Sequence, residues 1–226
     1  MPKREQSKRY CIALDAMGGD LGPSETVKAA VRGARLHSVD VILIGEEALL
    51  NKELSKFHTH SGVSVMPSVG VIEEGEHPVK AIRSNPLASI VVACGLVAES
   101  KADAVVSMGS TGASMASATL TLGLLEGLER PALGGNAFGL VPNISILDLG
   151  SSVDCRPNQL VNFAVIGSVY AKTLLSIHNP RVGLLSVGAE EGKGNKQIQE
   201  TYSLLRDSTL NFVGNVEGFD VFLDKA

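Results

Sequence analysis

Residues 181–206 read RVGLLSVGAEEGKGNKQIQETYSLLR, and their pattern sets the architecture expected of the whole chain. The apolar run Arg181 to Val187 predicts a buried strand, and the run from Lys196 to about Arg206 predicts a helix. Between them stands Gly188-Ala189-Glu190-Glu191-Gly192-Lys193-Gly194-Asn195, with three glycines where a short strand-to-helix connection usually takes one. Such a turn presents backbone N–H groups and a helix N-terminus at the carboxyl end of a strand. That geometry attracts anions, and Lys193 adds a formal charge to it. An ordinary surface loop with a solvated lysine fits these residues equally well, so the rest of the chain has to decide.

Working outward, the same alternation recurs. Strands are expected at Tyr10 to Asp15, Val39 to Gly45, Val63 to Met66, Asp103 to Ser107, Asn143 to Leu149 and Leu210 to Val213. Helices are expected from Pro23 to about Leu36, Glu46 to Phe57, a short one to about Arg83, Pro86 to Ser100, Gly112 to Leu125, and Pro157 to about Ile177. Gly134-Gly135 and Pro142 make Arg130 to Val141 a loop or an edge. Continuously apolar strands alternating with helices indicate a mostly parallel sheet covered on both faces, in one α/β domain over residues 10–226. Ligands of such sheets bind beyond the carboxyl ends of the strands, where the clustered glycines fall.

Composition narrows the function. With 226 residues, 44% of them hydrophobic and 19% charged, the chain reads as a globular protein with a real core. A net charge of −4 gives no reason to expect a nucleic-acid partner. Aromatics at 4%, with no Trp, argue against stacking platforms for bases or sugars. Cys11, Cys94 and Cys155 are odd in number and widely spaced, which fits a reducing cytoplasm and neither a disulfide framework nor a zinc site. Residues 1–9 are basic and polar with no apolar segment behind them, as expected of a disordered tail.

Four strand-end turns share a chemistry: Asp15-Ala16-Met17-Gly18-Gly19-Asp20, Ser107-Met108-Gly109-Ser110-Thr111-Gly112, Asp148 to Asp154, and Gly188 to Asn195. Together they offer hydroxyls, backbone donors and one lysine, the equipment for a phosphate or carboxylate. Asp15, Asp20, Asp148 and Asp154 could instead surround Mg²⁺, but helix capping or a bond to a loop amide is the commoner use of Asp at such positions. Glu190 and Glu191 either steady Lys193, take part in proton transfer, or sit by a helix N-terminus that welcomes acids. Cys155 precedes a helix but has no histidine marked as its partner. His58 and His60 read as surface residues. The Walker A ending and the dinucleotide glycine fingerprint are both absent.

Six blocks then carry a resemblance. Asp15-Ala-Met-Gly-Gly-Asp20, Ser107-x-Gly-x-Thr-Gly-Ala113, Glu129-Arg-Pro-Ala132, Val153-Asp-Cys155 with Gly167-Ser-x-Tyr-Ala171, Glu190-Glu-Gly-Lys-Gly-Asn195 and Asn215-Val-Glu-Gly218 occur in the order and spacing of one family. From about residue 10 to residue 220 the chain resembles the phosphate acyltransferase (PlsX) family of bacterial phospholipid synthesis. The resemblance implies a three-layer α/β/α sandwich akin to phosphotransacetylases and to isocitrate or isopropylmalate dehydrogenases. It implies transfer of an acyl group from acyl carrier protein to inorganic phosphate, with no cofactor and no metal. It also implies a homodimer at the inner face of the cytoplasmic membrane.

On that reading Lys193, Asn195, Asp154 and Glu217 are the candidate catalytic groups. Asp15, Gly18, Gly19, Asp20, Ser107, Gly109, Thr111, Gly112, Gly192 and Gly194 would shape the phosphate and substrate site. The chain departs from the family at Ser110, usually Asn, at Ser151-Ser152, usually Ala-Asn, at Ala189, usually Thr, and at Phe219. The family pattern also runs on past the position of Ala226, so the chain is expected to lack the family's carboxyl-terminal portion. A shortened, catalytically silent relative that binds phosphate or a partner stays open as an alternative. So does a phosphotransacetylase-like enzyme that uses acyl-coenzyme A.

Overall fold

The computed structural model describes residues 9–136, 141, 143–150 and 154–223. Of the expected tail only Arg9 falls within them, and Ser151, Ser152, Val153 and Ala226 fall outside. The chain divides into two compact units, Met1–Gly123 and Leu124–Ala226.

In the first unit four strands form one all-parallel sheet: β1 (Cys11–Asp15), β2 (Asp40–Gly45), β3 (Val63–Pro67) and β4 (Ala104–Ser107). Their order is β3-β2-β1-β4. The chain therefore steps outward from β1 to β3 and then returns to the other side of β1. Helices α1 (Gly22–His37) and α2 (Glu47–Leu54) connect the first three strands, and α3 (Pro78–Ser84) and α4 (Ser89–Ala98) lead to β4. Helix α5 (Thr111–Leu122) follows β4.

Alternation along the strands separates two cores. Leu14 and Leu43 point toward α1 and α2, where they pack with Val27, Ala30, Ala34, Leu50 and Leu54. Ala13 and Ile44 point to the opposite face and meet Ala93 and Leu96 of α4. Each fully buried Leu or Ile contributes about 1.5–3 kcal/mol relative to exposure, so slipping a strand by one residue would forfeit both cores at once. This is helix, sheet, helix: the expected α/β class and its three layers. Helices α3 and α5 pack on α4 through Ala81, Ile82, Cys94 and Ala113.

Local signals set the helix ends. Pro23 stands in the first turn of α1, and Ser38 closes that helix in the left-handed region at φ 53°. The helix expected from Pro86 instead begins at Ser89, because residues 85–88 form a turn closed by the Ala88 N–H donating to the Asn85 carbonyl.

The second unit is built differently. Helix α6 (Pro157–Leu174) and helix α7 (Lys196–Arg206) accompany a parallel pair, β7 (Val182–Leu185) and β8 (Phe212–Val216). Tyr202 of α7 meets Phe212 of β8 edge to face at 5.1 Å. The strand expected over Asn143 to Leu149 is shorter and differently paired. Only Ile146–Leu147 (β6) is extended, and it runs antiparallel to Gly134–Gly135 (β5). Glycine is what permits this ribbon, since a Cβ on Gly134 would stand 2.0 Å from the Ile146 carbonyl oxygen. The described strands thus fall into three sheets and not one. Apolar character alone identifies strands but does not choose their partners.

Candidate functional site

In the first unit the strand order reverses between β1 and β4, the place where open parallel sheets bind ligands. Asp15 and Ser107, the last residues of those strands, are register partners. The Asp15 side chain, 2% exposed, spends both oxygens inside this junction. Its Oδ1 accepts the N–H groups of Met17 and Gly18, each at 3.2 Å. Its Oδ2 accepts the Ser107 hydroxyl at 2.8 Å, and Ser107 Oγ in turn accepts the Gly109 N–H at 3.0 Å. The following turns touch backbone to backbone, and a Cβ on Gly18 would lie 2.8 Å from the Gly109 nitrogen. Gly19, at φ 94°, lets the first turn pass Met108. Thr26 ties the same turn from α1 by donating its hydroxyl to the Ala16 carbonyl at 2.8 Å.

Two helix N-termini follow these turns. Ser110 caps α5, its hydroxyl oxygen accepting the Ala113 N–H at 3.4 Å. Asn fills an N-cap as well as Ser, so the departure at position 110 keeps the capping oxygen. Helix α1 has Leu21 as its N-cap residue, with no side chain capping its first turn. Asp20 stands just before that start, exposed, and is not the cap. Thr111 and Gly112 are exposed in the first turn of α5, where Gly112 lies against Pro78. Exposed donors at the ends of two helices favour an anion. Asp15 and Ser107, however, are engaged with each other and hold the turns in place.

In the second unit the turn from Gly188 to Asn195 follows β7, beside the end of β8. Ser186 donates its N–H to the Val216 carbonyl, and Asn215 Nδ2 donates to the Glu190 carbonyl at 2.9 Å. Gln199 donates to the carbonyls of Gly192 and Gly194 at 2.9 and 3.2 Å. Asn195 is the N-cap of α7, with Oδ1 accepting the Ile198 N–H at 3.0 Å. Gly194, at φ 92°, lies over Ile198. The Lys193 stem crosses Gly188, where an added Cβ would meet its Cγ at 2.9 Å. Its ammonium is exposed and makes no ion pair among the described residues. Glu191 neither steadies that ammonium nor joins a helix N-terminus; it pairs with Arg206 at 2.8 Å, at the far end of α7. Glu217 is exposed and opens a short turn through its N–H to Asp220 Oδ2.

The third expected turn is described only at its ends. Asp148 has φ 65° and accepts the Cys155 thiol on Oδ2 at 3.4 Å. Gln197 of α7 donates to the Cys155 carbonyl. Asp154 is exposed. The structure therefore brings Asp15 to Asp20 together with Ser107 to Gly112, and the Lys193 turn together with Asn215 to Glu217. Asn215 and Gln199 are supporting residues that the turn's own sequence does not reveal. The Asn215-Val-Glu-Gly218 block was the one available signal for the first, and nothing marks the second.

A family described as fatty acid synthesis protein matches residues 10–226, and the chain belongs to that family. A phosphate acyltransferase of Dictyoglomus turgidum is 44% identical over 218 residues, which cover 93% of this chain and 64% of that protein. One of Desulforamulus reducens is 46% identical over 212 residues, covering 94% and 64%. One of Cyanothece sp. is 45% identical over 216 residues, covering 94% and 63%. The chain thus spans less than two thirds of the length of these relatives. Among the described residues no single helix is long and apolar enough to cross a membrane.

Proposed function

We propose that this member of the fatty acid synthesis protein family carries the phosphate-binding and acyl-transfer residues of a phosphate acyltransferase. The acyl group passes from the thioester of acyl carrier protein to inorganic phosphate, giving acyl phosphate for bacterial phospholipid synthesis. The observation that carries this reading is the pair of glycine turns at the β1/β4 reversal, tied by Asp15 and Ser107. Phosphate is strongly hydrated, and a cradle of backbone N–H groups can replace part of its water.

A phosphate oxygen attacks the thioester carbonyl carbon, the C–S bond breaks, and the proton of monohydrogen phosphate is the one the departing thiolate takes up. No covalent enzyme nucleophile and no further reactant is needed. Gly18, Gly19, Gly109, Thr111 and Gly112 line the phosphate cradle. Within the second unit, Lys193, with Gly192 and Gly194, offers positive charge and donors to an anionic group such as an oxyanion. Asp154 and Glu217 are the acids available to orient the reactants. The working protein is a homodimer in the cytoplasm, peripheral to the inner face of the membrane.

The test is acyl phosphate formation, trapped as hydroxamate, from acyl carrier protein thioester and phosphate. Lys193→Ala is expected to lower the rate by two orders of magnitude or more, the scale of losing one oxyanion donor. No product, or an unaffected variant, refutes the proposal. Product from acyl-coenzyme A and none from the carrier protein would move the assignment to a phosphotransacetylase-like enzyme.

A further inference from the structure

The second unit holds a half-open cavity of about 780 Å³, within the roughly 300–1,000 Å³ range of small-molecule sites. One wall is a single face of α6. Leu160, Ala164, Gly167 and Ala171, then Leu175 just past the helix, line it at helical spacing. From Leu160 to Leu175 is about 22 Å at the helical rise. The facing wall comes from β6, β7 and the start of α7. Phe163 is the aromatic residue among the lining groups, which are otherwise mostly aliphatic.

The cavity is not uniform along its length. Cys155, Asp148 and Gln197 gather near the start of α6, joined by the Cys155 thiol on Asp148 and the Gln197 amide on the Cys155 carbonyl. Among the described residues, Asp148 Oδ1 is buried without a hydrogen-bond partner. Ile198, which lines the cavity, is also the residue beneath Gly194 and the one capped by Asn195. One end thus adjoins the Lys193 turn, while the other is lined by Leu175 and Ile177 together with Asn179 and Arg181.

We propose that this cavity receives the fatty acyl chain of the substrate, lying along the aliphatic face of α6 with its carbonyl toward the first turn of α7. The assignment rests on the acyltransferase reading for the identity of the ligand. The α6 face offers a saturated chain a run of aliphatic side chains at Leu160, Ala164, Ala171 and Leu175. About 22 Å exceeds the roughly 15 Å depth of one bilayer leaflet, which acyl chains set. An aromatic or multiply charged ligand would find few partners on these walls.

The test uses the full chain and saturated fatty acids of eight to sixteen carbons, each below its critical micelle concentration, in a titration calorimeter. Affinity should rise about fourfold per added methylene and then level off once the cavity is filled. Ala164→Phe, which fills the middle of the cavity, should move that plateau to a shorter chain and leave the shortest acids unaffected. Because this variant could unfold, a diazirine-bearing fatty acid is photolysed on the unaltered protein as well. Label on residues 160–175 or on β7 supports the assignment. Label elsewhere, or affinity that does not depend on chain length, overturns it, as it would if a second copy or another polypeptide filled the space. Chain-length-dependent binding without acyl phosphate formation would keep the cavity and refute the reaction. Turnover whose chain-length preference ignores Ala164→Phe would keep the reaction and refute the cavity.

Discussion

Gly18→Ala loads the β1/β4 junction directly. The added methyl would stand 2.8 Å from Asp15 Oδ2, 2.8 Å from the Gly109 nitrogen and 2.9 Å from Gly109 Cα. Ordinary carbon contacts need about 3.5 Å, so the turns must separate by about 0.7 Å. None of the obstructing atoms is the free end of a flexible side chain. Two belong to backbone, and the third is a carboxylate oxygen held by the Ser107 hydroxyl. Overpacking of this kind costs roughly 1–3 kcal/mol. Weakening one charge-assisted bond of Asp15 adds to it, for an expected loss of about 2–4 kcal/mol. The assay is urea denaturation followed by circular dichroism, with phosphate binding measured in parallel by calorimetry. Gly33→Ala is the control: Gly33 lies in α1 with nothing within 4 Å of the added carbon, and the change should stabilise by about 0.5–1 kcal/mol. If Gly18→Ala unfolds at the urea concentration of the unaltered protein, the close approach of the turns is refuted. If stability falls while phosphate binds unchanged, the turns are not the phosphate cradle.

Three further outcomes follow from particular contacts. Ser107→Ala removes a donor to buried Asp15 and the acceptor of the Gly109 N–H, and should cost about 1.5–3 kcal/mol in the same urea assay. Asn195→Ala should cost about 1 kcal/mol through loss of the α7 cap, and Asn195→Ser should restore it; equal thermal midpoints for the two variants would contradict the capping geometry. The buried Cys94 thiol is pushed up to about 11, first by burial and then by the charge of Asp15, against 9.0 for an ordinary thiol. Between those values the folded chain keeps a proton that the unfolded chain has lost. Stability should therefore be full below about pH 9 and fall as pH rises toward 11. Urea midpoints from pH 8 upward check this, and Cys94→Ala should flatten the decline.

Local information was enough for most elements. Helix α7 has the bounds its periodicity predicted, and β1, β2, β3 and β4 end within a residue or so of their apolar runs. The strand expected over Asn143 to Leu149 shows where that method runs out. An apolar run can be a central parallel strand or a two-residue ribbon beside glycines, and only its partner decides. The same limit applies to the site. Asp15 and Lys193 both stood out as polar residues at glycine turns, yet the fold uses them oppositely. Asp15 is enclosed by its own donors, while Lys193 keeps an exposed ammonium.

By itself the sequence determined the alternation of strands and helices, the anion-friendly turns after β1, β4 and β7, and the family blocks. Those depend on hydrophobic period and glycine placement within a few residues of chain. Only the tertiary structure decided that β4 lies beside β1, pairing Asp15 with Ser107. Only it showed that Asn215 and Gln199 clamp the Lys193 turn, and that α6 forms one wall of a half-open cavity. Strand order, register and enclosed space arise from contacts between residues far apart in the chain, and several apolar strands of similar character leave those choices to packing.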